Sequence, residues 1–303
     1  MKYLIVRSNR LNTFGNALES DQSTVVNMFR KNVFILQIIL EIILKLHLPI
    51  PTFFFNKGLL NTNANMIIVF DGHVRKNFLR WIVKNNSKTN KFVFWCWNTV
   101  DEIERNFKLK NVPNDYEIWS YSRSDCEKRS LHYNTTFYWN RYCHSSNEIE
   151  NIKNDIYFIG KDKGRMKKIQ SYKEVFDEIN LSSLIQVVPT YRWIWKKGYS
   201  KSISYDDVLD NIFHSKAILD VQVSSSAGPS LRALEAAFYH KKLITDDKGV
   251  MDFKFYNPSN ILILDSNLEK DSIIDFLNSR FIEINDTDLE YYNISNWLRR
   301  FNC

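Results

Sequence analysis

The chain has 303 residues, 44% of them hydrophobic and 25% charged, which is enough apolar material to bury a core and excludes a disordered polypeptide. Its 41 Lys and Arg against 34 Asp and Glu leave a net charge of +7, favouring anionic partners such as phosphates, nucleic acid or acidic lipid headgroups without choosing among them. Cys96, Cys126, Cys143 and Cys303 form no CxxC pair, which argues against a zinc ribbon or disulfide framework and for a reducing compartment.

The first expected strand is Lys2–Val6, whose apolar run, Tyr3–Val6, is too short for a secretory signal. A helix is expected near Val25–Leu46. Its most apolar part, Val33–Leu46, is interrupted by Gln37, Glu41 and Lys45, so it lacks the roughly 20 apolar residues that a spanning helix needs. With Arg30, those residues make one narrow polar stripe beside a wide apolar face. The simpler reading is a core helix with one wet edge; the competing one is a helix lying on a membrane. Strand Met66–Phe70, helix Val74–Lys84 and strands Phe92–Trp97 and Glu117–Tyr121 follow, an alternation that implies parallel strands joined by crossover helices. The aromatic runs Phe92–Trp97 and Phe137–Trp139 read as core first and as lining for an acceptor sugar second.

The polar segment Cys143–Asn154 marks the expected domain boundary, giving domains 1–150 and 151–292, with a C-terminal helix at 293–303 packing back on the first. The second half repeats the alternation: strand Asp155–Ile159, helix Lys168–Ile179, strand Leu184–Val188, helix Tyr205–Phe213, strand Ala217–Val221, helix Pro229–Tyr239, strands Lys242–Thr245 and Asn260–Leu264, and helix Glu269–Phe281. Two Rossmann-like α/β domains facing a central cleft are therefore expected. Ligands of such sheets bind beyond the carboxyl ends of the strands.

The most informative stretch is Ala217–Asp246. A strand runs into Ser224-Ser225-Ser226, passes Ala227-Gly228 and enters a helix with Pro229 near its first position. Free N–H groups and the positive end of the helix then face the loop, an arrangement suited to a pyrophosphate. Arg232 lies one turn in to neutralise phosphate charge, and Glu235 nearly two turns in, able to accept hydrogen bonds from ribose hydroxyls. The competing reading of Glu235 is a solvated helix residue.

The order strand, Ser-rich loop, Gly228-Pro229-Ser230, Arg232, Leu234-Glu235-Ala236 and Lys241-Lys242-Leu243-Ile244-Thr245 resembles the donor-binding segment of GT-B glycosyltransferases, in particular bacterial enzymes of lipopolysaccharide and capsular polysaccharide synthesis. Tyr157–Arg165, Ile203–Gln222, Asp252–Asp265 and, more loosely, Ile118–Tyr138 agree with it. The resemblance implies a nucleotide-sugar donor on the second domain, with Glu235 on the ribose and Ser226, Gly228, Pro229 and Ser230 at the phosphates. Gly160, followed by Lys161, Lys163 and Arg165 before a helix, offers a second anion site, against the plainer reading of a solvated basic turn. Tyr191, Arg192 or Trp193 in Pro189–Trp195 would border the base or pack between domains.

One feature departs from the family. Many retaining members carry a pair of glutamates, and eight positions before Glu235 this chain has Ala227. An inverting displacement needs a base in the first domain; Asp71 and His73, after strand Met66–Phe70, are the candidates, with helix capping by Asp71 and a surface His73 as the competing reading. Asp286-Thr287-Asp288 reads as a solvated turn, and Asp246-Asp247, adjacent in extended chain, point to opposite faces. A metal-independent reaction without cofactor is expected. The leading function is transfer of a sugar to a saccharide or lipid-linked oligosaccharide in surface polysaccharide synthesis, and the resemblance implies a uridine diphosphate donor. This places the chain in the cytoplasm, at the inner membrane face through peripheral contact with anionic lipid, with no nucleic-acid partner. A nucleotide-sugar epimerase and a basic nucleic-acid binder are the alternatives.

Overall fold

The computed structural model describes residues 1–8, 18–30, 34–139, 151–190, 198–223, 228–265 and 270–302. The chain divides into two compact units, Met1–Thr135 with Leu298–Cys303, and Thr136–Trp297. The division falls ahead of the Cys143–Asn154 segment, because Phe137 packs its ring on Trp297 at 4.1 Å and the main chain of Tyr138 bonds to Tyr292 and Ile294.

In the first unit β1 (Tyr3–Arg7), β2 (Ser23–Asn27), β3 (Met66–Phe70), β4 (Lys91–Cys96), β5 (Tyr116–Ser120) and β6 (His132–Tyr133) form one parallel sheet in the order β2-β1-β3-β4-β5-β6. Helices α1 (Phe34–Lys45), α2 (Lys76–Lys84), α3 (Val100–Glu104) and α4 (Arg123–Arg129) lie between strands. Strand β4 is buried on both faces, as a crossover-covered parallel strand must be: Phe94 and Cys96 join one core cluster, while Trp95 meets Phe301 edge-on at 5.9 Å. Its aromatics fill the core and do not line a sugar site. The same holds for Phe137, Tyr138 and Trp139, all buried.

Two expectations about Val25–Leu46 are corrected. Its first part is β2, with Val25 in register with Ile5, because the β-branched run Thr24-Val25-Val26 suits a pleated strand better than a helix. The helix that follows, α1, is not a core helix with one wet edge. Only Leu40 and Leu44 are buried in it, and Phe34, Ile35, Ile38, Ile39, Ile42 and Leu46 are exposed.

In the second unit β7 (Asn154–Lys161), β8 (Ser183–Val188), β9 (Ser215–Asp220), β10 (Lys242–Thr245) and β11 (Ile261–Ile263) form a parallel sheet ordered β11-β10-β9-β7-β8. Helices α5 (Met166–Glu178), α6 (Tyr205–Phe213), α7 (Leu231–Phe238) and α8 (Lys270–Asn278) connect and follow the strands. Asp286-Thr287-Asp288 opens a short helix, α9 (Asp286–Glu290), capped by the Asn285 side chain. The last helix, α10 (Ile294–Arg300), crosses the division between units.

Both sheets reverse their strand order once, between β1 and β3 and between β7 and β9. At such a point the flanking connections leave in opposite directions and open a crevice at the carboxyl ends.

Candidate functional site

In the first unit the residue directly after β3, at the reversal, is Asp71. It is 8% exposed, and its Oδ2 accepts hydrogen bonds from the main-chain and side-chain N–H of Asn98, both at 3.1 Å. Burial pushes its carboxyl up to about 7, against the pull of the two Asn98 bonds. It does not cap α2, whose N-cap is Arg75. Burial, and after it the charges of Asp71 and Asp125, also raise the neighbouring Cys96 thiol. His73 sits half-buried two residues on, in the left-handed region at φ 57°.

In the second unit Arg165 occupies the reversal. Its Nη1 donates to the Val221 carbonyl just past β9, and its Nε and Nη2 donate to the Lys161 carbonyl at the end of β7, at 3.2 and 3.1 Å. The guanidinium thus ties together the two strand ends that flank the crevice. Gly160 makes this possible: a Cβ there would meet Arg165 Nη2 at 2.8 Å and the Phe158 ring at 3.1 Å. Lys161 and Lys163 are exposed, and the Lys163 N–H bonds to the Thr190 hydroxyl at 2.8 Å.

Asp220, the last residue of β9, is 4% exposed. Its Oδ2 accepts from the Ser230 hydroxyl at 2.7 Å and from Gln222 Nε2 at 2.9 Å. Burial raises it to about 6, with the Ser230 bond and the Arg165 charge pulling the other way. Ser230 is also the N-cap of α7, accepting from the Ala233 N–H at 3.0 Å. The helix therefore starts two residues later than Pro229, whose carbonyl instead accepts from the Thr136 hydroxyl at 2.6 Å. Gly228 is half-buried beside it.

Glu235 is fully buried. Its Oε2 pairs with Arg232 and its Oε1 accepts from the Tyr205 hydroxyl at 2.8 Å. Tyr205 continues to the Tyr138 hydroxyl at 2.7 Å, and Tyr138 to Tyr239 at 3.0 Å. Arg232, expected to meet phosphate, and Glu235, expected to meet ribose, therefore hold each other. The last strand-end acid, Asp246, accepts from the Gln222 N–H at 2.8 Å and pairs with Lys168, whereas Asp247 turns away to cap Gly249 at 2.8 Å.

Gly160, Arg165 and Ser230 are thus gathered around the ends of β7 and β9, Arg232 and Glu235 pair with each other on α7, and Ser226, Tyr191 and Arg192 lie outside the described residues. Asp220, Gln222 and the Tyr205–Tyr138 pair were missed from sequence. The available signal for Asp220 is an acid closing an otherwise apolar strand, which the expected range Ala217–Val221 puts inside the strand instead of at its end.

Comparison with solved structures gives the fold. An alpha-glucosyltransferase in complex with UDP and a 13-mer DNA containing a central A:G mismatch is 12% identical, covering 100% of this chain and 99% of its own, with a TM-score of 0.60. The fold is GT-B. A sucrose-phosphate synthase from Thermosynechococcus elongatus is 8% identical over 100% of this chain and 98% of its own, with a TM-score of 0.58. A DNA-modifying beta-glucosyltransferase, described with its substrate uridine diphosphoglucose, is 13% identical over 100% and 98%, at 0.54. No protein-family model matches the sequence, and the search of curated proteins gives no match. Two of these GT-B structures are described with DNA or as modifying it, so the expectation of no nucleic-acid partner is withdrawn.

Proposed function

We propose that the chain is a glycosyltransferase moving a sugar from a uridine diphosphate sugar to a saccharide hydroxyl. The observation that carries this reading is the second unit's strand reversal, where Arg165 spans the ends of β7 and β9 beside Asp220 and the capped start of α7. The shared fold with UDP-sugar enzymes supports it. The proposed acceptor is lipid-linked, in the building of a surface polysaccharide, with peripheral contact at an anionic membrane; the net charge of +7 and the exposed α1 side chains support that part.

In the reaction, Asp71 accepts the proton of the acceptor hydroxyl as its oxygen bonds to the anomeric carbon. The bond from that carbon to the diphosphate breaks, leaving its electron pair on the departing uridine diphosphate. A carboxyl near 7 suits this task, since a base works best with a pKa close to the working pH. Cations at the reversal and the start of α7 stabilise the leaving charge without a metal.

The test is a melting series with uridine, guanosine and adenosine diphosphates, followed by assay of uridine diphosphate release with a saccharide, a lipid-linked saccharide and duplex DNA. Uridine diphosphate at 100 times its Kd should add about 2.7 kcal/mol, and Arg165→Gln should lose most of the response. No shift with any nucleotide overturns the donor reading, and release with DNA alone overturns the acceptor.

A further inference from the structure

The first unit holds a basic cavity that neither the donor site nor Asp71 uses. Its volume is ≈ 600 Å³, and Arg75, Lys76, Arg80, Arg105 and Lys108 line it against one carboxylate, Glu104. That carboxylate is already engaged, accepting from the Leu109 N–H at 2.9 Å and pairing with Lys108 at 3.3 Å. The lining is therefore strongly cationic among the described residues.

Arg75 is the informative member. It is 9% exposed, its Nη1 donates to Val74 and its Nη2 to the Leu44 carbonyl, each at 2.8 Å, and its buried Nε has no hydrogen-bond partner among the described residues. That N–H is closed to water, so what an anion in the cavity meets is the Arg75 charge and not this donor. Arg75 is also the N-cap of the nine-residue α2, which has no side-chain cap. The first N–H groups of α2 and its dipole add to the attraction. Several cations and directional donors in one cavity fit the oxygens of a phosphate group.

The Leu44–Arg75 bond pins the C-terminal end of α1 at this cavity, which His47 and Pro49 also line. From that end α1 presents an apolar stripe outward: Phe34 is 74% exposed, Ile35 68%, Ile42 50% and Leu46 62%. Such a stripe beside a cationic patch has the charge and polarity pattern of a helix lying in a bilayer interface. A free phosphate or a DNA backbone would match the cations but leave the stripe in water. We infer that the cavity receives the phosphate of an anionic lipid while the α1 stripe enters the acyl boundary of the same bilayer. This deepens the membrane part of the proposed function and rests on it, whereas the nucleotide melt tests the other unit, so either can fail alone.

The experiment is co-sedimentation of the full chain with phosphatidylcholine vesicles and with vesicles containing phosphatidylglycerol, together with solution binding of inorganic pyrophosphate and duplex DNA. The variants are Lys76→Ala/Arg80→Ala and Ile38→Ser/Ile42→Ser, at exposed positions, with the uridine diphosphate melt and an unliganded melt as checks of folding. The wild type is expected on the anionic vesicles and not on phosphatidylcholine, with binding weakening as salt rises. Removing the two cations should lower the partition about 30-fold, and the Ile variant should lower it about tenfold or more while pyrophosphate binding persists. Equal binding to both vesicles overturns the inference, as does binding unchanged in either variant. Pyrophosphate or DNA binding that Lys76→Ala/Arg80→Ala abolishes, without vesicle binding, overturns it in favour of a soluble phosphate or nucleic-acid site. A dimer that the Ile variant converts to monomer, with vesicle binding unaltered, shows that a second copy covers the stripe instead.

Discussion

Asp71 carries two consequences of one cause. Burial raises its carboxyl from 3.8 to about 7, so the folded chain holds a proton that the unfolded chain has released between those values. The stability that this proton contributes is complete below about pH 4 and is lost as pH rises through 7, up to ~4 kcal/mol across the window. Urea melts of Asp71→Asn should lack that part of the slope while retaining the smaller one from Asp220, raised to about 6. As a base Asp71 must be ionised, so transfer should climb through pH 7 in the wild type and fall by about 10² to 10⁴ in Asp71→Asn. The fall in stability would then level off at the pH where activity is half-risen, a coincidence that a merely structural carboxyl would not show. At Glu235 the expected outcome is different: Glu235→Gln keeps an acceptor for Tyr205 but takes the counter-charge from the half-buried Arg232, a change costing about 1.5–3 kcal/mol. Denaturant melts at constant pH measure it.

At the level of elements, the turn from β7 to α5 and the start of α7 decide whether the crevice keeps its shape. Gly160→Ala would push a methyl group against the Arg165 guanidinium and the Phe158 ring. The guanidinium can swing away but the ring is in the core, so the expected cost is about 1–3 kcal/mol, with weaker uridine diphosphate binding because Arg165 leaves the strand ends; a melt and a nucleotide titration read the two effects separately. The strands and helices of this region were legible because their patterns agree at every level: Tyr205–Phe213 and Lys242–Thr245 match the structure at both ends. What was not legible was set by contacts remote in sequence. Nothing near Glu235 announces that Tyr205, thirty residues earlier, would take its Oε1, and nothing in FDGH announces Asn98 as the partner of Asp71. For α1 the pattern shows a wide apolar face but not what lies against it, and the fold leaves Phe34, Ile35, Ile38, Ile39 and Ile42 exposed.

Over the whole molecule the same topological device is used twice. Each sheet reverses once, and each reversal carries an ionisable group, the buried Asp71 beside β3 in one unit and the half-buried Arg165 between β7 and β9 in the other. The units are not independent segments of sequence, because Leu298–Cys303 returns to the first. Phe301 is fully buried there, edge-on to Trp95 at 5.9 Å and to Trp119 at 4.9 Å. Arg300 Nε donates to Asn134 Oδ1 at 2.7 Å and Asn302 Nδ2 to the Tyr3 hydroxyl at 3.0 Å. These contacts bring the last residues of the chain onto β1, β4, β5 and the segment after β6. Phe301→Ala should therefore cost about 3–5 kcal/mol, and the loss should appear as faster amide exchange in β4 and β5, with α7 and β10 unchanged. Exchange that rises first in the second unit would show that these terminal residues support the other half of the chain. The first unit also cannot be excised as residues 1–135 without exposing Trp95 and Trp119, so a fragment ending there should be less stable than the same unit in the full chain.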